Sequence, residues 1–183
     1  VPNLVISSPL NELDLRNLMY TGYKENNGPF VIRYPRGKGE MADWRNEMHV
    51  LPIGKGKKLR DGDDIAILSL GPIGNEVIKA IKEIEGDGIS IAHYDMIYLK
   101  PMDEELLHEV GKKFSRIITV ENGVIRGGLG SAVLEFMADT PKIKRIGVPD
   151  EFVEHGPISE LYKLCGMDAK CIAEEIKKMV IGG

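Results

Sequence analysis

Asp64-Ile-Ala-Ile-Leu-Ser-Leu70, followed at once by Gly71-Pro72-Ile73-Gly74, decides the fold. A nearly continuous apolar run of this length reads as a strand buried on both faces, as a parallel sheet requires. The glycine and proline turn the chain into a helix over 75–85, with Val77, Ile78, Ile81 and Ile84 as its apolar stripe. Strand, tight turn and amphipathic helix make the first half of a β-α-β unit.

The same alternation runs outward in both directions. Downstream, the pattern predicts a strand over 89–94 and a helix opened by Pro101-Met-Asp103, with Leu106, Leu107 and Val110 turned inward. A second buried strand, over 116–121, carries Ile117, Ile118 and Val120. Gly127-Gly-Leu-Gly-Ser131 then leads into a helix over 132–138, followed by a strand over 142–148 and helices over 158–165 and 169–180. Just upstream, residues 54–60 read as an edge strand closed by the turn Asp61-Gly62-Asp63. Strands alternating with helices predict an α/β three-layer sandwich with a mainly parallel sheet.

Further upstream the character changes. Residues 37–50 are polar through Lys38, Glu40, Asp43, Arg45, Asn46 and Glu47, with Trp44 the one large apolar residue. They read as a linker pinned by Trp44, so residues 1–37 form one unit, 38–50 the linker and 51–183 the second domain. The first unit is a β-α-β: a strand over 4–7, a helix over 11–25 with Leu15, Leu18, Met19 and Tyr23 on one face, and a strand over 30–34. Asn26-Asn27-Gly28-Pro29 stops the helix, and Pro35 stops the strand. Cut from a larger sheet, this unit would expose apolar faces and unpaired edges.

Composition narrows the function classes. The 183 residues carry 24 basic and 28 acidic side chains and a net charge of -4, which argues against nonspecific nucleic-acid binding. No apolar run approaches the roughly 18 residues that span a bilayer. Cys165 and Cys171, six apart, fit no common zinc spacing and read as reduced thiols of a cytoplasmic protein. The first residue is Val1 rather than Met, and no leader precedes the first strand. The chain is therefore expected to be part of something longer.

The strongest candidate site is Gly28-Pro-Phe-Val-Ile-Arg33-Tyr-Pro-Arg36-Gly37. In an open parallel sheet, ligands bind beyond the carboxyl ends of strands. Here a strand ends beside two arginines, whose planar forks match phosphate or carboxylate. Gly37 permits a close approach. Arg36, with Arg33 beside it, is the predicted anion contact. A second candidate is the loop of Gly128, Gly130 and Ser131, where backbone N–H groups at a helix start could cradle an anion. It lacks the Lys-Ser/Thr of a P-loop and the spacing of a dinucleotide fingerprint, and a tight glycine crossover explains it better. The same crossover reading covers Gly71 and Gly74. No nucleophile elbow surrounds Ser131. His93 and Asp95 share one face of a strand and read as a packed or hydrogen-bonded pair. His155 reads as a loop brace, and His49 and His108 have no partner in the sequence.

Val31-Ile-Arg33-Tyr-Pro-Arg36-Gly37, Leu51-Pro-Ile-Gly54-Lys-Gly56, Tyr98-Leu-Lys100-Pro101-Met-Asp103, Thr119-Val-Glu121-Asn122, Gly127-Gly-Leu-Gly130-Ser131 and Gly147-Val-Pro149-Asp150 together resemble the C-terminal third of the 1-deoxy-D-xylulose-5-phosphate synthase family. The resemblance spans essentially the whole chain, in order and in register. It implies a homodimeric, cytoplasmic transketolase-type enzyme that condenses pyruvate with glyceraldehyde 3-phosphate and releases carbon dioxide. The implied cofactors are thiamine diphosphate and magnesium, and the product feeds isoprenoid, thiamine and pyridoxal synthesis. By resemblance, residues 1–37 end the pyrimidine-binding domain and residues from about 50 form the C-terminal domain. Arg36 matches the arginine that takes the acceptor phosphate, and Arg33 the arginine preceding it. Where the pattern has Arg, this chain has Ile97. The residues that hold the cofactor have no counterpart here, so the chain alone is expected to be inactive. Gly86-Asp87-Gly88 resembles the start of a thiamine-diphosphate metal motif, but it follows a helix and precedes a strand, at the wrong edge of the sheet, and reads as a helix C-cap. The rival readings are another enzyme of the superfamily and a noncatalytic module for oligomerisation or for a regulator at Gly127–Ser131.

Overall fold

A computed structural model describes residues 1–25, 28–37, 39, 44–137 and 141–182. The expected helix stop at Asn26-Asn27, the linker residues Lys38, Glu40 and Asp43, and the expected helix end at Ala138 lie outside the described residues.

The central sheet is built on β4 (Ile65–Leu70), the strand of the opening run, which is buried along its whole length. It pairs in parallel with β5 (Ile91–Asp95) and β7 (Arg116–Val124), and β7 pairs in parallel with β8 (Lys142–Val148). The edge strand β3 (Lys57–Arg60) runs antiparallel to β5, giving the order β3-β5-β4-β7-β8. Alternate residues of β4 feed different cores. Ile65 and Ile67 pack with α2 (Gly74–Glu83) and α6 (Ala169–Ile181), and Ala66, Leu68 and Leu70 pack with α3 (Glu104–Lys113) and α4 (Leu129–Phe136). Helices on both faces of a mainly parallel sheet make the three-layer α/β sandwich read from the sequence. The short α5 (Ile158–Leu164) follows β8.

Capping fixes the helix starts. Asp103 accepts the N–H of Leu106 at 3.2 Å to open α3, and Asp168 accepts that of Cys171 at 3.1 Å to open α6. Asn11 accepts the N–H of Asp14 at 2.9 Å at the head of α1 (Glu12–Glu25).

Helix α1 connects β1 (Val5–Ser7) to β2 (Phe30–Ile32), which pair in parallel as a β-α-β. The expected strand over 30–34 stops two residues early. A strand the sequence does not announce, β6 (Tyr98–Lys100), runs antiparallel to β1 and completes a second sheet, β2-β1-β6. Three residues between the turn at Ile97 and Pro101 are too few for a readable period. A third core forms here from Leu18, Ile97 and Tyr98, with Val5, Phe30, Ile32, Leu51 and Ile53 packed against it. It draws on both sides of the 37–50 stretch.

Around β4 the connections diverge. The chain leaves β4 through α2 toward β5 on one side, and leaves β7 through α4 toward β8 on the other. The crevice between the carboxyl ends of β4 and β7 is therefore the topological switch point, where open α/β sheets take ligands. Gly71 sits at its lip with φ +82, and an added Cβ there would lie 2.3 Å from Ser8 Oγ. Ser8 Oγ also donates to the carbonyl of Arg33 at 2.8 Å, so it is not free to move aside. Gly71→Ala is expected to cost about 1–3 kcal/mol through the left-handed backbone and the displaced serine. Urea unfolding of the 183-residue chain checks this.

Candidate functional site

Arg36 lies four residues beyond the end of β2 and is exposed. Among the described residues it makes no hydrogen bond and no ion pair. Its neighbours Tyr34, Pro35 and Gly37 line a cavity of about 650 Å³. The far walls come from the first turn of α1, the start of α2 at Asn75, and α5 at Tyr162. An exposed arginine beside a cavity, with no bond to another described residue, is able to take an anion.

Arg33 is used differently. Its backbone N–H donates to Ser7 O at 2.8 Å, and its carbonyl accepts from Ser8 Oγ at 2.8 Å. Its guanidinium forks onto Asn122, one nitrogen donating to the backbone carbonyl at 3.1 Å and the other to Oδ1 at 2.5 Å. With Ser7, Ser8, Leu70, Glu121 and Gly128 it lines a small hollow of about 190 Å³ at the switch point. The two arginines that look equivalent in sequence are thus separated: one is committed to the fold, and one faces solvent.

The loop over 127–131 carries no free cradle. The buried carboxylate of Glu121 accepts the N–H of Leu129 and that of Gly130, both at 2.9 Å. The start of α4 therefore already holds an anion, supplied by the chain itself. Gly128 and Gly130 serve close packing: a Cβ on Gly128 would lie 2.0 Å from Glu121, and one on Gly130 2.7 Å from Arg145. Ser131 accepts from the N–H of Gly127 at 2.9 Å and from Arg145 at 3.2 Å, which ties the loop shut. Sequence reasoning passed over Glu121, Asn122 and Ser8. Glu121 and Asn122 stood out only as part of the family-like stretch Thr119-Val-Glu121-Asn122, and Ser8 carries no local signal of its role.

The remaining candidates are structural. Gly86 and Gly88, at φ +107 and +75, make the turn after α2. His108 packs edge-on against Phe136, with ring centroids 4.8 Å apart. His155 is exposed and bonds to no described residue, so it does not brace its loop as expected. Cys165 and Cys171 are free thiols. Among the described residues no group of three or more His, Cys, Asp or Glu gathers to hold a metal ion. The amides of Leu129 and Gly130, at the start of α4, are taken by Glu121.

His93 and Asp95 are buried in the sheet. His93 Nε2 lies 2.8 Å from Ser69 Oγ, and burial pushes its pKa down to about 4. Asp95 Oδ1 accepts the N–H of Ile97 at 3.2 Å. Burial pushes Asp95 up to about 7; the Ile97 N–H opposes the rise, Asp14 adds to it and Lys57 opposes it. Folding favours protonated Asp95, so its contribution is complete below the usual 3.8 and is lost as pH rises to about 7. Folding favours neutral His93, so its contribution is complete above the usual 6.5 and is lost as pH falls to about 4. Between about pH 4 and 6.5 the two slopes oppose each other and nearly cancel. Relative to the parent, Asp95→Asn is expected to lose stability on acidification through that window by up to about 1.4 kcal/mol per pH unit, and His93→Gln to gain it. Urea unfolding at stepped pH reads both slopes, and parallel profiles for all three proteins would contradict the assignment.

Comparison with known proteins places this geometry. Residues 54–172 match the family described as transketolase, C-terminal domain. The chain is 78% identical over 181 residues to a 1-deoxy-D-xylulose-5-phosphate synthase of Parabacteroides distasonis, covering 97% of this chain and 29% of that protein. It is 58% identical over 182 residues to the protein of the same name from Bacteroides thetaiotaomicron, covering 97% of this chain and 28% of the relative. It thus spans less than a third of the length of the relatives it matches. Among solved structures it resembles a "Split gene transketolase, inactive beta4 tetramer" with a TM-score of 0.84 and 29% identity, over 99% of this chain and 58% of that one. The chain belongs to the transketolase C-terminal domain family.

Proposed function

We propose that this chain is the C-terminal part of a 1-deoxy-D-xylulose-5-phosphate synthase, a transferase that joins pyruvate to glyceraldehyde 3-phosphate with loss of carbon dioxide. The observation that carries the reading is the 78% identity to a protein of that name across nearly the whole chain. In the intact, homodimeric cytoplasmic enzyme, thiamine diphosphate and magnesium, held by parts outside this chain, supply the carbon–carbon chemistry. Residues 1–37 close the pyrimidine-binding domain, 38–50 link, and 51–183 form the C-terminal domain. The exposed Met19, Tyr23 and Val31 on the outer side of the first unit suit a surface that the rest of that domain covers. Lacking the cofactor-holding parts, the chain alone is inactive.

Arg36 binds the acceptor phosphate. Its exposure beside the cavity, with no bond to another described residue, supports this role, and the commitment of Arg33 to Asn122 favours Arg36 as the anion contact of the pair. The phosphate is remote from the reacting aldehyde, so its binding energy holds the acceptor in place. The amides of Leu129 and Gly130, spent on Glu121, weigh against a regulator bound at that loop.

In the full-length synthase, Arg36→Ala removes a charge-assisted contact worth about 1.5–3 kcal/mol. The KM for glyceraldehyde 3-phosphate should rise about 10- to 100-fold, while use of unphosphorylated glyceraldehyde is unchanged. Equal kcat/KM for the phosphorylated acceptor in variant and parent would sink the assignment.

A further inference from the structure

We propose that Asn122 is a positioning residue for acceptor-phosphate recognition, acting through Arg33 on Arg36; the inference rests on the phosphate role of Arg36. The first unit meets the rest of the chain where β1 pairs with β6, in the third core, and where Asn75 Nδ2 donates to the carbonyl of Leu10 at 3.1 Å. Its other strand, β2, pairs with β1 and leads directly toward Arg36. Of the attachments among the described residues, the Arg33–Asn122 fork stands closest in sequence to Arg36, three residues before it.

Everything around the fork is fixed. On one side, both backbone groups of Arg33 are bonded to the end of β1, by Ser7 O and Ser8 Oγ. Ser8 N–H in turn donates to the carbonyl of Ile97 at 2.9 Å. On the other side, Asn122 follows Glu121, whose carboxylate is held by two amides of α4. Asn122 Oδ1 would stand 3.7 Å from a Cβ on Gly71, so the fork closes over the end of β4 as well. Two donors on two oxygens of one residue set an angle as well as a distance. The direction in which Tyr34-Pro35-Arg36 leaves the sheet is set by that angle. Pro35 stiffens the short path, so a tilt at Arg33 reaches Arg36 with little damping.

The test uses the full-length synthase with glyceraldehyde 3-phosphate and unphosphorylated glyceraldehyde as paired acceptors. Asn122→Ala should raise the KM for the phosphorylated acceptor at least fivefold while leaving that for glyceraldehyde unchanged. Asn122→Asp, which keeps an acceptor oxygen in place, should restore the parent value. Arg33→Lys, which keeps the charge and loses the fork, should behave like Asn122→Ala and secures the result if that variant folds poorly. In a double variant, Asn122→Ala should add nothing to the phosphate defect of Arg36→Ala. A lower Tm with both KM values unchanged, or an equal rise in both, would overturn the positioning role. If Arg36→Ala affects phosphate use and Asn122→Ala does not, the positioning role alone fails. If Arg36→Ala itself leaves phosphate use intact, the reading of Arg36 fails and takes this inference with it.

Discussion

The structure turns on the filling of one crevice. In an open α/β sheet the gap between strands whose connections diverge is left for a ligand. Here the gap beyond β4 and β7 receives Ser8 and Arg33 from the N-terminal unit. Arg33 satisfies the carbonyl and side chain of Asn122, and Glu121 satisfies the first amides of α4. A site that in other sheets would hold a phosphate is closed by a carboxylate and a guanidinium of the same chain. The C-terminal domain has spent its natural ligand position on holding its neighbour.

That use of the crevice explains two backbone features nearby. Gly71 needs a left-handed conformation and no side chain, because Ser8 lies against it. Ile97, a β-branched residue, is held at φ +56, which is costly without support. Its N–H is taken by Asp95 and its carbonyl by Ser8, so both ends of the strained turn are tied. The turn reverses the chain after β5 so that β6 can meet β1. The strain is thus stored where the two sheets are sewn together.

The sheet and its covering helices were legible because burial on two faces writes itself into adjacent residues. The run over 64–70 and the stripe of Val77, Ile81 and Ile84 required no knowledge of the rest of the chain. β6 was illegible because three residues owe their strand to a partner 91 or more positions away, through pairs such as Ile6–Lys100 and Ser7–Tyr98. Glu121 was illegible for a related reason: its role is set by amides of the following helix, not by its neighbours in the strand. The candidate anion loop was legible as a helix start, but nothing local reveals that its ligand is already present.

The two arginines show where local reading stops. Both follow the same strand, three residues apart, with the same donors and the same charge. What separates them is Asn122, 89 residues along the chain from Arg33. A guanidinium within reach of a carbonyl and an amide oxygen is bound; one beyond reach stays in water. In the role proposed for Arg36, binding the first would help to orient the second, because an anion contact loses in ordering cost what it gains in charge when its backbone is not held. A bonded and an exposed arginine have the same sequence signature, and only the fold around them tells the two apart.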